Sequence, residues 1–523
     1  MNIVKLLFVS ICMALRMIYY IVRPLFAFYY EKKRQQIPDI DNDILRKPAT
    51  ELARMIREKE ITSVELVTAF IRRIRQVNGA LNAVVAYRFN DALAEAAEVD
   101  KLIESGNLSE KDLIENKPFL GVPTCLKECF AVKGMSWTSG NILRKNVKAN
   151  FDAPVVTRLK QSGLIVLGVT NVSELCMWWE TSNLVYGTTK NPYNTCRIVG
   201  GSSGGEACIV SAAGAVVGLG SDIGGSIRMP AFFNGIYGHK PTNAIVNNDG
   251  QVPIATKGGK DFLSTGPFCR YASDLIPMMK VMADPDKIGL LKLDEDVDVR
   301  KLRFFYMEEA EGSVTTLPVH PNVRQGLKRV IDHFSNIGAE VHRVSLPEFQ
   351  DCVNLWFAGM SESGEEPFVA QLAEESKNWN LYEEIARVVL RLPRHTIPAL
   401  LLAFLEKFPM PKNMAKKFQD RAKKLKSDML KLLGKDGVFV FPTHPTPALY
   451  HNEPLLVPFN WAYTGVFNVL GLPACNIPLG LSSTSRVPIG VQIVTAPHMD
   501  RLSLAIANYL EQESIAGWTE PNK

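Results

Sequence analysis

The segment from residue 200 to residue 226, GGSSGGEACIVSAAGAVVGLGSDIGGS, restricts the fold of this chain more than any other stretch of it. Glycine clusters at both of its ends, and a residue without a Cβ lets backbone approach backbone, or a ligand, closely. A phosphate-binding loop would need a closing Lys-Ser or Lys-Thr, which is absent here. The nucleophile-elbow pattern GxSxG is met by both Ser202 and Ser203 in overlapping frames. That motif requires a preceding strand and a later acid and histidine. With eight histidines in the chain, counting alone leaves it open.

Around this segment the pattern is α/β. Thr62-Ser63-Val64-Glu65 has the form of a capping box, and Val67, Phe70, Ile71, Ile74 and Val77 follow at helical spacing. Short runs rich in β-branched residues, at 164–167, 438–441 and 491–494, are bounded by Gly or Pro and alternate with helical patterns such as 322–334. Buried strands separated by helices imply a central mixed β-sheet covered by helices. With 46% hydrophobic and 22% charged residues there is ample material for a core, and disorder is not expected. The Asp- and Lys-rich stretch 283–298 is the expected interruption between two halves of one catalytic unit.

A formal charge of +5 over 523 residues gives no reason to expect a nucleic-acid partner. The nine cysteines follow no repeating framework, so reduced thiols are expected. Cys125 and Cys129 form a CxxxC, but neither a second pair at zinc spacing nor an HExxH accompanies it, and no metal is expected.

Residues 1–30 read as a hydrophobic membrane anchor helix, 31–48 as a linker and 49–523 as the catalytic domain. The apolar run is long enough to cross a bilayer, which needs about 20 residues, although Arg16 and Arg23 interrupt it. No small-residue cleavage site follows, so an uncleaved anchor is expected, single-pass or monotopic, in an intracellular membrane. Lys32-Lys33-Arg34 outweighs Lys5 and places the catalytic part on the cytosolic side. The sequons at Asn107 and Asn171 would matter only in the opposite orientation. A second apolar stretch, 397–408, is too short to span; it is either a helix capping the core or one lying in the membrane interface, with Lys412, Lys416, Lys417 and Arg421 following it.

Three motifs carry chemistry: GGSSGG at 200–205, DIGGSIR at 222–228 with Pro230, and Gly121-Val122-Pro123 with Lys127 downstream. In this order they resemble the amidase signature family. The spacings from Lys127 to Ser202 and from Ser202 to Ser226 agree with those of the family's fatty-acid amide hydrolases, and the resemblance runs from residue 49 to the C-terminus. Ser173-Glu174-Leu175-Cys176-Met177-Trp178 and Met229-Pro230-Ala231-Phe232-Phe233-Asn234-Gly235 bring the chain nearest to that branch.

A serine hydroxyl is a poor nucleophile until a base takes its proton, and an amide nitrogen is a poor leaving group until it gains one. The resemblance assigns the nucleophile to Ser226, the proton relay to Ser202 and the base to Lys127, which must be neutral in a buried setting to accept a proton. It also implies a cis Gly201–Ser202 bond. The oxyanion hole falls to the backbone N–H groups of Ile223, Gly224, Gly225 and Ser226. Asp222 and Arg228 are expected to hold that turn, Ser203 to support the relay, and Cys176, Met177 and Trp178 to line an apolar, tunnel-like substrate pocket. No cofactor is implied. The expected protein is a membrane-associated hydrolase of fatty acid amides. An amidase or esterase for smaller amides, and a catalytically silent membrane protein that binds lipid amides, stand as alternatives. A homodimer is also open, since related hydrolases dimerise.

Overall fold

The computed structural model describes the backbone of residues 3–107, 109–364, 366–374 and 379–522, with side chains from residue 10 onward. Its frame is an 11-stranded mixed sheet. The strands are β1 (Val84–Tyr87), β2 (Pro123–Lys127), β3 (Ile165–Thr170), β4 (Val217–Asp222), β5 (Tyr237–Lys240), β6 (Ser264–Cys269), β7 (Arg303–Tyr306), β8 (Glu340–Arg343), β9 (Gly437–Pro442), β10 (Ala474–Leu481) and β11 (Pro488–Val494). Their spatial order is β1-β3-β2-β4-β6-β5-β10-β11-β9-β7-β8. Residues 283–298 lie between β6 and β7, where the chain passes from one half of this sheet to the other. The halves join through the antiparallel pair β5 and β10.

The central strands β2, β3, β4, β6, β9 and β11 are buried along their whole length. Burial at every position, in place of strict alternation, is what a sheet covered on both faces demands. The cover includes α2 (Ser63–Leu81), α3 (Gly204–Ser211), α4 (Arg228–Asn234), α5 (Pro321–Asn336), α6 (Cys352–Ser363), α7 (Ile397–Leu405), α8 (Lys412–Leu433), α9 (Ala462–Leu470) and α10 (Asp500–Gln512). The capping box starts α2 as the sequence requires: Thr62 Oγ1 accepts from Glu65 N, and the Glu65 carboxylate accepts from Thr62 N.

The N-terminal helix, Ile3–Glu31, is called α1. It contains a 22-residue segment, Ser10–Glu31, long and apolar enough to cross a membrane. It does not stand clear of the body. Cys12 and Tyr19 are buried on its inner side, and its end is tied down by Tyr450 Oη and Asn194 Nδ2, which donate to Glu31 at 2.9 and 3.2 Å. The outer side exposes Met17, Ile21, Leu25 and Phe28, each about two-thirds accessible.

Helix α7 packs one side on the body and exposes the other. Ala399, Leu400 and Ala403 pack with Leu175, Phe368 and Leu372 in a small satellite core. Ile397, Leu401, Phe404 and Leu405 face outward. Of the two sequons, Asn171 is fully buried and donates to Gly187 O and Thr189 Oγ1, which removes it as a glycan acceptor in the folded chain. The sequon at Asn107 includes Leu108, which lies outside the described residues.

Candidate active site

Strands β2 and β4 are parallel neighbours, with Leu126 opposite Leu219. Their carboxyl ends therefore lie side by side, where open α/β sheets place ligands. Lys127 ends β2 and Ser221 stands near the end of β4, and the pairing brings them together: Lys127 Nζ donates to Ser221 Oγ at 2.9 Å and to Ser221 O at 3.5 Å. Its third partner is Ser202 Oγ at 2.8 Å. Lys127 is fully buried. Among the described residues no carboxylate comes within ion-pair distance of it, so its surroundings are hydroxyls and one carbonyl.

Ser202 sits in the turn that leads into α3, and the Gly201–Ser202 bond is cis. A Cβ at Gly201 would lie 2.5 Å from the Trp178 carbonyl oxygen, which explains glycine there. Ser226 follows β4 by a second turn and is nearly buried. The Ser203 N–H donates to Ser226 O at 3.3 Å, so the two glycine-rich turns are joined through backbone. Ser203 Oγ donates to Ser221 O at 3.4 Å.

The turn around Ser226 is held by a buried ion pair. Asp222 accepts backbone N–H groups from Gly225 (2.7 Å), Ile227 (3.1 Å) and Arg228 (3.4 Å), and Arg228 Nε and Nη2 close on the same carboxylate at 3.1 and 3.0 Å. Arg228 also donates to Thr464 O, Gln492 Oε1 and Asn468 Oδ1. Burial alone would push the Asp222 carboxyl up, but Arg228 beside it and the Asn468 amide hold it at about 2. A buried pair keeps its value only when its remaining donors and acceptors are satisfied, and here the network supplies them. Asp222 and Arg228 thus occupy the loop-holding places expected of them.

One expectation needs correcting. Gly225 was among the four oxyanion donors, yet its N–H is already given to Asp222 Oδ1 at 2.7 Å. The geometry that makes the turn rigid consumes this donor and leaves Ile223, Gly224 and Ser226 as the candidates. Gly225 is glycine for another reason. Its φ is +128°, and a Cβ there would lie 2.0 Å from Thr464 Oγ1. Trp356 Nε1 donates to Ile223 O at 3.0 Å and Thr464 Oγ1 to Gly224 O at 2.8 Å, which orients both peptide planes.

The serines open onto a cavity of about 960 Å³ whose wall includes Ser202, Ser221 and Ser226. Away from them it is predominantly apolar, with Leu175, Val252, Phe357, Leu402 and Met414 among its lining, while Asp351, Glu366, Glu406 and Lys407 also stand on its wall. Cys176 and Met177 line it as expected. Trp178 does not; it lines a smaller neighbouring cavity of about 130 Å³, which also reaches Ser226.

A family model for amidases matches residues 65–504, most of the chain. The chain belongs to the amidase family. Like its family, this amidase acts on carbon–nitrogen amide bonds. It is 45% identical over 523 residues to fatty-acid amide hydrolase 2-A of Danio rerio, a match covering 97% of each chain. It is also 45% identical to fatty-acid amide hydrolase 2 of Homo sapiens, with 92% of each covered. Among solved structures, a 6-aminohexanoate cyclic dimer hydrolase complexed with substrate superposes with a TM-score of 0.72 at 23% identity, covering 92% of this chain and 99% of that one. A fatty acid amide hydrolase structure gives 0.70 at 21% identity, covering 93% and 88%. These two likenesses show the fold.

Sequence reasoning missed several residues that build the amidase site. Ser221 is the foremost, and the only hint was its place beside Asp222 in a glycine-rich run. Thr464, Asn468 and Gln492 come from α9 and β11, more than 230 residues from Arg228, and carry no local signal. Glu128, next to Lys127, accepts from Thr138 N, Ser139 N and Tyr186 Oη and so fixes the loop behind the lysine. Burial raises its carboxyl to about 7 in spite of these bonds.

Proposed function

We propose that this amidase hydrolyses long-chain fatty acid amides at a membrane surface, through an acyl-enzyme on Ser226. The observation that carries this reading is the cavity. At about 960 Å³ it stands at the top of the range for small-molecule sites, its wall is predominantly apolar, and it reaches the hydroxyls of Ser202, Ser221 and Ser226. A small polar amide would leave most of that apolar surface uncovered. The curated relatives at 45% identity are named as fatty-acid amide hydrolases, which supports the same substrate class.

In this reading Lys127 takes a proton from Ser202 across their 2.8 Å contact while Ser202 takes one from Ser226. The Ser226 oxygen attacks the amide carbon. The negative oxygen that forms is met by backbone N–H groups of Ile223, Gly224 and Ser226. The proton then returns through Ser202 to the amide nitrogen, the amine leaves, and water repeats the cycle on the acyl-enzyme to release the fatty acid. Ser221 holds Lys127 on line throughout.

The membrane part rests on two outward apolar faces near the cavity mouth. Cys12, Leu15 and Arg16 of α1 lie against the loops around Val314 and Phe459. Those loops also border the main cavity, as do Leu402 and Leu405 of α7. A helix fastened along one side to the body offers its other side to lipid in the plane of the interface. This favours a monotopic anchor over a free-standing span.

Labelling by a long-chain fluorophosphonate in detergent tests the chemistry. Wild type should gain one adduct, mapped by mass spectrometry to Ser226, and Ser226→Ala should gain none. An unlabelled wild type, or a labelled Ser226→Ala, would overturn the assignment.

A further inference from the structure

Two thiols stand at the site without a part in the hydrolytic cycle. Cys129 lies two residues beyond Lys127, with its Sγ 4.0 Å from Ser221 Oγ. Cys176 faces it from the turn Glu174–Cys176, its Sγ 3.5 Å from Ser139 Oγ. The two thiols are neighbours, and the Ser202 hydroxyl lies close to Cys176. The turn is firmly held: Leu175 and Cys176 both take left-handed φ values, 48° and 57°. The carboxylate of Glu174 pairs with His395 Nδ1 at 2.8 Å and accepts from Thr396 N at 2.7 Å.

Of the nine cysteines, Cys176 alone is not buried. It lines both cavities. Burial pushes the other eight thiols up, away from the reactive thiolate. Cys176 departs in the opposite direction. The neighbouring Cys129 thiol, with the hydroxyls of Ser139 and Ser202 beside it, holds its thiol below the ordinary range in spite of burial. Reactivity and access therefore coincide at one sulfur of nine.

We propose that Cys176 is a second nucleophile of the cavity, a covalent modification site for long-chain α,β-unsaturated carbonyl compounds whose conjugated double bond sits near the head of an apolar chain. The inference rests on reading this cavity as the acyl-chain site. The sulfur attacks the β-carbon and a C–S bond forms. The π pair moves toward the carbonyl, and the α-carbon takes up a proton equivalent to the one the thiol gave up. Nothing is oxidised or reduced, and no further reactant is needed. The adduct fills the cavity beside Ser202 and stops amide turnover.

The test treats the full chain in detergent with N-dodecylmaleimide and, separately, N-ethylmaleimide. Labelling is followed by intact mass and peptide mapping, with glutathione as the reference thiol for intrinsic reactivity. One adduct on Cys176 is expected. Relative to glutathione, the dodecyl reagent should react at least tenfold faster than the ethyl one, and hydrolytic activity should fall in step with the adduct. Cys176→Ser should lose the adduct, and Cys129→Ala, which removes the neighbouring thiol, should slow labelling of Cys176 severalfold. First labelling at another cysteine, or equal relative rates for the two reagents, would overturn the proposal. The readout is mass and needs no hydrolysis. A Cys176 adduct on a protein that turns over no amide would sink the hydrolase reading alone; normal amide turnover with Cys176 unmodified would sink this one alone.

Discussion

Replacing Ser221 by alanine should slow amide hydrolysis without unfolding the protein. In the structure Lys127 Nζ has two hydroxyl partners, Ser202 at 2.8 Å and Ser221 at 2.9 Å, and one weaker carbonyl contact at 3.5 Å. Removing the Ser221 hydroxyl deletes one partner and leaves the lysine free to swing away from the relay. A buried hydrogen bond of this kind is worth about 1 to 3 kcal/mol. At 1.4 kcal/mol per factor of ten, kcat should fall roughly 5- to 150-fold. KM should change little, because in the proposed reading the acyl chain lies elsewhere in the cavity. Ser221→Thr keeps a hydroxyl and should recover much of the rate, a result that a merely structural role for Ser221 would not produce. The assay is steady-state hydrolysis of a fluorogenic long-chain amide, with Tm measured alongside. Wild-type kcat in a Ser221→Ala protein of unchanged Tm would refute the reasoning.

Other outcomes follow from the same contacts. Asp222→Asn should lower stability at pH 7 by about 3 to 5 kcal/mol, because it leaves Arg228 buried without its counter-charge; a fall in Tm of only a degree would contradict this. The Asp222 carboxyl is lowered from 3.8 to about 2 by folding, so its contribution is present above pH 3.8 and is lost as pH falls through about 2. The gap in denaturant midpoint between wild type and Asp222→Asn should therefore hold from pH 7 to pH 4 and narrow below that. Ser203→Ala should cost no more than about threefold in kcat, since its hydroxyl makes one long contact to a carbonyl. Ile21→Asp with Leu25→Asp, on the outward side of α1, should reduce recovery of the protein with phospholipid vesicles while leaving turnover of a detergent-dispersed substrate near wild type; unchanged vesicle binding would count against the α1 contact.

The residues legible in the sequence were those packed into short motifs. Lys127, Ser202, Ser226, Asp222 and Arg228 are all found there, and the structure gathers them at the ends of β2 and β4. Ser221 escaped because only the parallel pairing of those strands brings it to Lys127. The donor lost at Gly225 escaped because backbone direction is not written in residue type. Residues 322–334 announced α5 by period alone, whereas α1 announced its polarity but not its partner. Burial of Cys12 depends on loops some 300 and 450 residues away in the chain. For α7 the sequence allowed two environments, and its packing against Leu175, Phe368 and Leu372 came from residues distant in the chain.

The most direct test of the account is the hydrolysis of oleamide by wild type and Ser226→Ala in detergent, with a short-chain amide measured beside it. The account predicts long-chain turnover that disappears in Ser226→Ala, and much slower turnover of the short amide. Oleamide hydrolysis that survives the loss of Ser226, or a preference for the short amide, would contradict it.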